Sequence, residues 1–194
     1  MAQETQKVIK EKALMLFAQK GFEGTSLNDI ADEVGIKKPS LYAHFTNKED
    51  LFLGVINKVT IDYNAFFEHT AKEIASLNPE EQLYRLLIKN TAYLQNHELG
   101  LIFKRMMLFP PESLRSNISE MFLATEEVMK NVVYSILEKM DPDLDQDKIF
   151  DAYLCLLDGV FEQLFYYSQE EHSKRVENSW ALFINGINYM RVGD

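Results

Sequence analysis

Apolar residues in this chain return every three or four positions. Ile9, Ala13, Leu16 and Phe17 stand at i, i+4, i+7 and i+8, which lays one greasy stripe along a helix, and Gly21 is where such a helix stops. A second helix is expected from Ser26, a capping residue with Asp29 at the third helical position, to Val34. A third starts at about Pro39, because proline fits a first helical position and pushes the preceding Lys38 out of the α region. Asn47, with Asp50 three residues on, resembles a capping box that opens a long segment from Lys48 to about His69. Further helical segments follow over 79–96, 99–109, 112–140, 145–168 and 172–191, with Pro110-Pro111 and Asp141-Pro142 between them. No internal repeat, low-complexity tract or useful strand-like alternation interrupts them. The pattern predicts an all-α fold.

Residues 26–45 are the densest part of it. Ala31 sits where two helices cross closely, Gly35 supplies the positive φ of a tight turn, and Ile30, Val34, Ile36 and Leu41 face inward. This is helix-turn-helix spacing. Lys37, Lys38 and Ser40 then stand at the exposed start of the second helix of the pair, where backbone amides and the positive dipole end favour phosphate. In such a motif those first residues enter the major groove of DNA, so Lys37, Lys38 and Ser40 are candidates to read base edges. Pro39 offers an apolar contact to a thymine methyl. Tyr42 and His44 follow within a turn and can reach phosphate oxygens, as can Thr25, Ser26 and Lys48 from the flanking helix starts.

Charge sharpens this division. The 194 residues carry a formal charge of -10, yet residues 1–60 hold eight lysines and eight acidic residues, so the acidic excess belongs to the remainder. One cysteine, Cys155, excludes an intrachain disulfide and a multi-cysteine zinc site; its apolar run suggests a buried packing residue and a reducing, cytoplasmic setting. His44, His69, His97 and His172 are scattered without metal-ligand spacing, so no metal is expected. Charges interrupt every apolar stretch before the length of a membrane span, and no membrane partner is expected. The sequence contains no glycine-rich phosphate loop and no nucleophile elbow, so neither an enzyme nor a cofactor is expected.

The block GFEGTSLNDIADEVGIKKPSLYAHFTNKEDLF, Gly21 to Phe52, resembles the N-terminal domain of the TetR family of bacterial transcriptional repressors. The resemblance rests on Gly-Phe before Thr25, Ile30-Ala31, Gly35, Leu41-Tyr42, His44-Phe45, and Lys48-Glu49 with Leu51. It departs from the common pattern at Lys37, Pro39 and Ala43, residues that bear on which operator is read. The resemblance implies a three-helix helix-turn-helix DNA-binding domain at 1–47 and a larger helical effector-binding and dimerisation domain at 48–194. It also implies a homodimer on a palindromic double-stranded operator, with recognition helices about 34 to 36 Å apart, released by a small-molecule effector.

Two further sets of residues are expectations. Phe66, Phe103, Met106, Met107, Phe109, Phe122, Tyr153 and Phe161 offer flat rings and adaptable thioethers for a hydrophobic or aromatic effector. The last two helices are expected to form the dimer, with Gly159 and Gly186 permitting close approach and Phe165, Trp180, Phe183 and Ile187 burying area. The alternative is a DNA-bound scaffold whose C-terminal part recruits a protein partner without a small molecule.

Overall fold

The computed structural model describes residues 2–95 and 97–192, apart from the side chains of Ala2, His97, Lys104, Met106, Met107 and Val192. The helices are α1 (Ala2–Lys20), α2 (Leu27–Val34), α3 (Lys38–Tyr42), α4 (Lys48–Glu73), α5 (Pro79–Leu94), α6 (His97–Leu108), α7 (Arg115–Met140), α8 (Gln146–Gln163) and α9 (Gln169–Val192). A single 3-10 turn, Glu112–Leu114, precedes α7. The described residues contain no strand. They form two compact units, one of residues 1–63 and 96–125 and one of residues 64–95 and 126–194.

The first unit gathers α1, α2, α3 and the start of α4 with α6, which packs along α1. Its core is the stripe expected from the sequence: Ile9, Ala13, Phe17, Ile30, Leu41, Leu51 and Ile56 are fully buried. Each of the larger of these side chains contributes roughly 1.5 to 3 kcal/mol of transfer free energy. Phe52 meets Phe17 edge-on with centroids 4.9 Å apart and Phe22 at 5.0 Å, so α4 is locked to the end of α1 by rings. The last carbonyls of α1 have no helical partner and must find others. Gly21, at φ 74°, donates its N–H to Phe17 O at 2.9 Å. The Arg105 guanidinium from α6 donates from Nε to Ala18 O at 2.9 Å and from Nη2 to Gln19 O at 3.0 Å.

The second unit packs α5 and α9 against α8. Leu83, Leu87, Val133, Leu137 and Tyr153 are fully buried. Asn78 caps α5 by accepting from Glu81 N at 2.9 Å, and the buried Gln82 side chain donates back to Leu77 O at 2.6 Å. Tyr153 donates its hydroxyl to Leu83 O at 2.7 Å, tying α8 to α5. A run of rings, Tyr84, Trp180, Phe183 and Tyr153, with centroids 5.2 to 5.7 Å apart, joins α5, α9 and α8. Lys130 and Tyr134 of α7 both donate to Asp147 in the first turn of α8.

Several expectations need correction. The extended residue before α3 is Lys37, at φ -79° and ψ 144°, so this helix begins at Lys38, one residue before Pro39. Val34 and Ile36 are half-buried, since the turn they flank lies at the surface. At the start of α4, Asn47 accepts from Asp50 N at 2.7 Å, but the Asp50 carboxylate turns to Thr46 N at 2.8 Å and not to Asn47. Cys155 is exposed, because the apolar run around it wraps round the helix and only part of the run faces the core.

Candidate nucleic-acid interface

The turn between α2 and α3 is set by backbone chemistry. Gly35 adopts φ 76° and ψ 30°, and its N–H reaches Asp32 O at 3.1 Å while Ile36 N–H reaches Ala31 O at 3.0 Å. That pair of bonds is a Schellman ending, which needs a residue free to enter the left-handed region. At the other end of α2, Ser26 Oγ accepts from Asp29 N at 3.1 Å while Asp29 Oδ2 accepts from Ser26 N at 2.9 Å and Ser26 Oγ at 2.7 Å. These bonds from Ser26, and the nearby Lys20 charge, hold the Asp29 carboxyl below the usual aspartate range.

Within α3, Leu41 is fully buried and anchors the helix, while Lys38, Pro39 and Ser40 are exposed and Tyr42 keeps half its surface. Lys37 is exposed immediately before it. Neither Lys37 nor Lys38 forms an ion pair among the described residues, so both charges are available to an anionic partner. His44 is half-buried one turn on. Because α3 has only five residues, its dipole is small, and the positive character of this end rests on the two lysines.

Three of the candidate contact residues have structural work of their own. Thr25 is 1 % exposed, and its hydroxyl lies 2.8 Å from Gly21 O and 3.2 Å from Leu16 O, so this side chain is turned into the protein and away from any phosphate. Ser26 is occupied as the cap of α2. Lys48 donates to Phe22 O at 2.9 Å and stands 4.1 Å from the centre of the Phe22 ring, holding the α1–α2 turn against α4.

The expected effector residues are divided between the units. In the first, Phe103 is 8 % exposed against Tyr63 at 5.3 Å, Phe122 is half-buried, and Phe109 is 79 % exposed. The side chains of Met106 and Met107 lie outside the described residues. In the second, Phe66 stacks on Tyr93 at 4.2 Å. Phe161 and Tyr153 are core, the latter fully buried with its hydroxyl on Leu83 O. Tyr153 thus serves as a pin between α8 and α5.

The expected dimer residues separate likewise. Gly159 and Gly186 are exposed, with open space where a Cβ would stand. Ile187 is 1 % exposed and belongs to the unit's own core, which leaves it little surface to bury against a partner. Phe165 lies edge-on to Phe161 at 5.6 Å, and Trp180 and Phe183 are half-buried in the ring run. On α9, Leu182, 76 % exposed, and Tyr189, 80 % exposed, stand in solvent and share one face with Gly186. Sequence reading passed over Arg105 too, since its carbonyl partners lie 86 and 87 residues away and leave no local signal.

Residues 9–55 match the family model described as bacterial regulatory proteins, tetR family. Among curated proteins, the chain is 27 % identical over 153 residues to the biofilm operon icaADBC HTH-type negative transcriptional regulator IcaR of Staphylococcus epidermidis. That alignment covers 77 % of this chain and 78 % of the relative. It is 52 % identical over 48 residues to the HTH-type transcriptional repressor ComR of Escherichia coli, a match confined to 25 % of this chain and 23 % of that protein. Among solved structures, the fatty acid degradation regulator FadR of Bacillus halodurans superposes with a TM-score of 0.76 at 19 % identity, covering 94 % of this chain and 95 % of that one. A TetR-like transcriptional regulator of Rhodococcus sp. RHA1 superposes with a TM-score of 0.73 at 18 % identity, covering 95 % and 96 %. At those identities the likeness speaks to the fold, whereas the N-terminal matches speak to the sequence of the DNA-binding domain. Helix-turn-helix geometry, the two lysines before and within α3 that form no ion pair among the described residues, and these matches identify residues 9–55 as a DNA-binding domain of the TetR family of bacterial transcriptional regulators.

Proposed function

We propose that this regulator is a repressor that binds a palindromic operator as a homodimer, through residues 1–47, and leaves it when a small hydrophobic or aromatic effector binds within residues 48–194. The observation that carries the reading is the exposed Lys37-Lys38-Pro39-Ser40 edge on a helix anchored from behind by the buried Leu41. A rigid anchor with an unpaired, exposed polar edge is what insertion into a major groove requires. Repression is supported by the negative regulation named for the Staphylococcus epidermidis relative. Release by an effector needs different affinities for the DNA-bound and DNA-free conformations, since a ligand binding both equally shifts nothing. An operator on bacterial DNA sets this work in the cytoplasm.

The test is Lys38→Ala against a library of palindromic duplexes. A base-edge contact is worth roughly 1 to 3 kcal/mol of discrimination, so the variant is expected to bind its best site more weakly and to accept more sequences. An unchanged ratio of specific to non-specific binding would remove Lys38 from the base-reading set.

A further inference from the structure

The first unit holds a cleft that plays no part in the DNA-facing edge. It has about 350 Å³ of space between the turn that follows α1 and the Phe109-Pro110-Pro111 link that follows α6. That is within the range of about 300 to 1,000 Å³ typical of small-molecule sites. Its floor is aromatic. Phe17 and Phe52 are buried there, and Phe22, half-buried, meets Phe52 at 5.0 Å. Phe109 stands at the opposite lip and is 79 % exposed, a large apolar ring with little of this protein to cover it. Gly21 and Gly24 leave the near wall without side chains, and two consecutive prolines stiffen the far one.

The charge of the lining has a sign. Lys20, Arg105, Glu23 and Glu112 all line it, but Glu112 Oε2 is already held by Arg115 at 2.7 Å and 3.1 Å. That leaves the Arg105 guanidinium as the cation of the cleft least committed to an acid, with Lys20 beside it. Arg105 uses Nε and Nη2 on the α1 carbonyls, while Nη1 makes no hydrogen bond among the described residues. Nη1 lies 3.0 Å from where a side chain on Gly21 would begin, so a residue larger than glycine there would push the guanidinium aside. A planar guanidinium with a donor to spare beside aromatic rings suits a carboxylate or sulfonate carried on a flat ring.

We propose that this cleft binds a small planar aromatic anion, its ring between Phe22 and Phe109 and its charge on Arg105 and Lys20. The ligand and the carbonyls of Ala18 and Gln19 then share one guanidinium, so occupancy bears directly on the contact between α1 and α6. The site lies within the first unit and shares Phe109 with the expected effector residues, so it deepens the effector reading of the preceding section and rests on it.

The experiment titrates the full chain, without DNA, with the fluorescent anion anilinonaphthalene sulfonate and with its uncharged analogue phenylnaphthylamine. Leaving DNA out keeps failure here distinct from failure of the operator reading. Wild type is expected to bind the anion saturably. Phe109→Ala should weaken both dyes several-fold, by roughly the worth of one ring contact. Arg105→Gln should weaken the anion about tenfold and leave the neutral dye nearly unchanged. Lys20→Gln, at an exposed position, should weaken the anion about threefold. Tyr189→Ala, in the other unit, should change neither. If Arg105→Gln fails to fold, Phe109→Ala and Lys20→Gln decide the matter. No saturable binding by wild type, an unchanged anion affinity in those two variants, or an equal loss of both dyes in a folded Arg105→Gln would each overturn the proposal.

Discussion

At φ 76°, Gly35 sits where an added Cβ costs about 1 to 2 kcal/mol through its clash with the following carbonyl. Nothing else stands within 4 Å of that Cβ, so the strain is the whole effect. Gly35→Ala is therefore expected to lower the free energy of unfolding by about 1 to 2 kcal/mol in urea with an unchanged m-value. Lys48 stabilises the same region differently, with one hydrogen bond to Phe22 O and a charge over the Phe22 ring. Lys48→Met should cost about 1 to 2 kcal/mol, the sum of a typical bond and a cation–π contact. Equal stability in both proteins would show that the ammonium is free for another partner.

Helix ends are where single elements of this protein are most dependent on one or two side chains. Ser26→Ala removes the cap of α2 and should cost about 1 kcal/mol near neutral pH. The pH dependence has a definite sign. Asp29 is held below its ordinary value in the folded protein, so its contribution is fully present above the unfolded pKa and is lost as pH falls through the lower folded one. The difference in melting temperature between wild type and Ser26→Ala should accordingly narrow on acidification, and a constant gap down the acid limb would count against the reciprocal cap. Asp147, lowered by its bonds from Tyr134 and Lys130, follows the same sign at the α7–α8 junction. Deeper in the second unit, Tyr153→Phe keeps the ring and loses the bond to Leu83 O, for an expected cost of about 1 kcal/mol. Tyr153→Ala empties a fully buried site and should cost about 3 to 5 kcal/mol, by analogy with other large aromatic truncations. A well-folded Tyr153→Ala protein would return this residue to the list of cavity walls.

For the molecule as a whole, association is the central expectation, because an operator with two half-sites calls for two recognition helices. The solvent-facing edges of the last two helices are suited to it: Ala152, Cys155 and Gly159 along α8, and Leu182, Gly186 and Tyr189 along α9. Leu182→Asp would place an unpaired charge in such an interface, at a cost of several kcal/mol, and should yield monomers in sedimentation while the helical spectrum stays intact. Ile187→Asp should behave otherwise. That residue is core, so its variant should unfold and not merely dissociate. The single thiol gives a second reading without mutation: Cys155, exposed in the isolated chain, should react slowly with a maleimide at high protein concentration and rapidly on dilution below the dissociation constant. Dimeric Leu182→Asp would move the interface to another face.

What the sequence determined by itself is what interactions within about four residues decide. The stripe in α1, the stop at Gly21, the Ser26–Asp29 cap, the turn at Gly35 and the all-helical layout follow from periodicity, capping chemistry and backbone freedom, and each is legible in the sequence alone. The exposed lysines at α3 were legible for the same reason, since a cap and a buried Leu41 dictate which neighbours face outward. Tertiary structure alone decided which polar groups were already occupied. Thr25 finds Leu16 O nine residues back, Lys48 finds Phe22 O over 26, Tyr153 finds Leu83 O over 70, and Arg105 reaches Ala18 O over 87. It also turned Cys155 to solvent and Ile187 inward. A hydroxyl, an ammonium or a ring in a helical pattern has the same local signature whether it faces a ligand, a partner or a distant carbonyl, and only the packing of helices far apart in the chain distinguishes them.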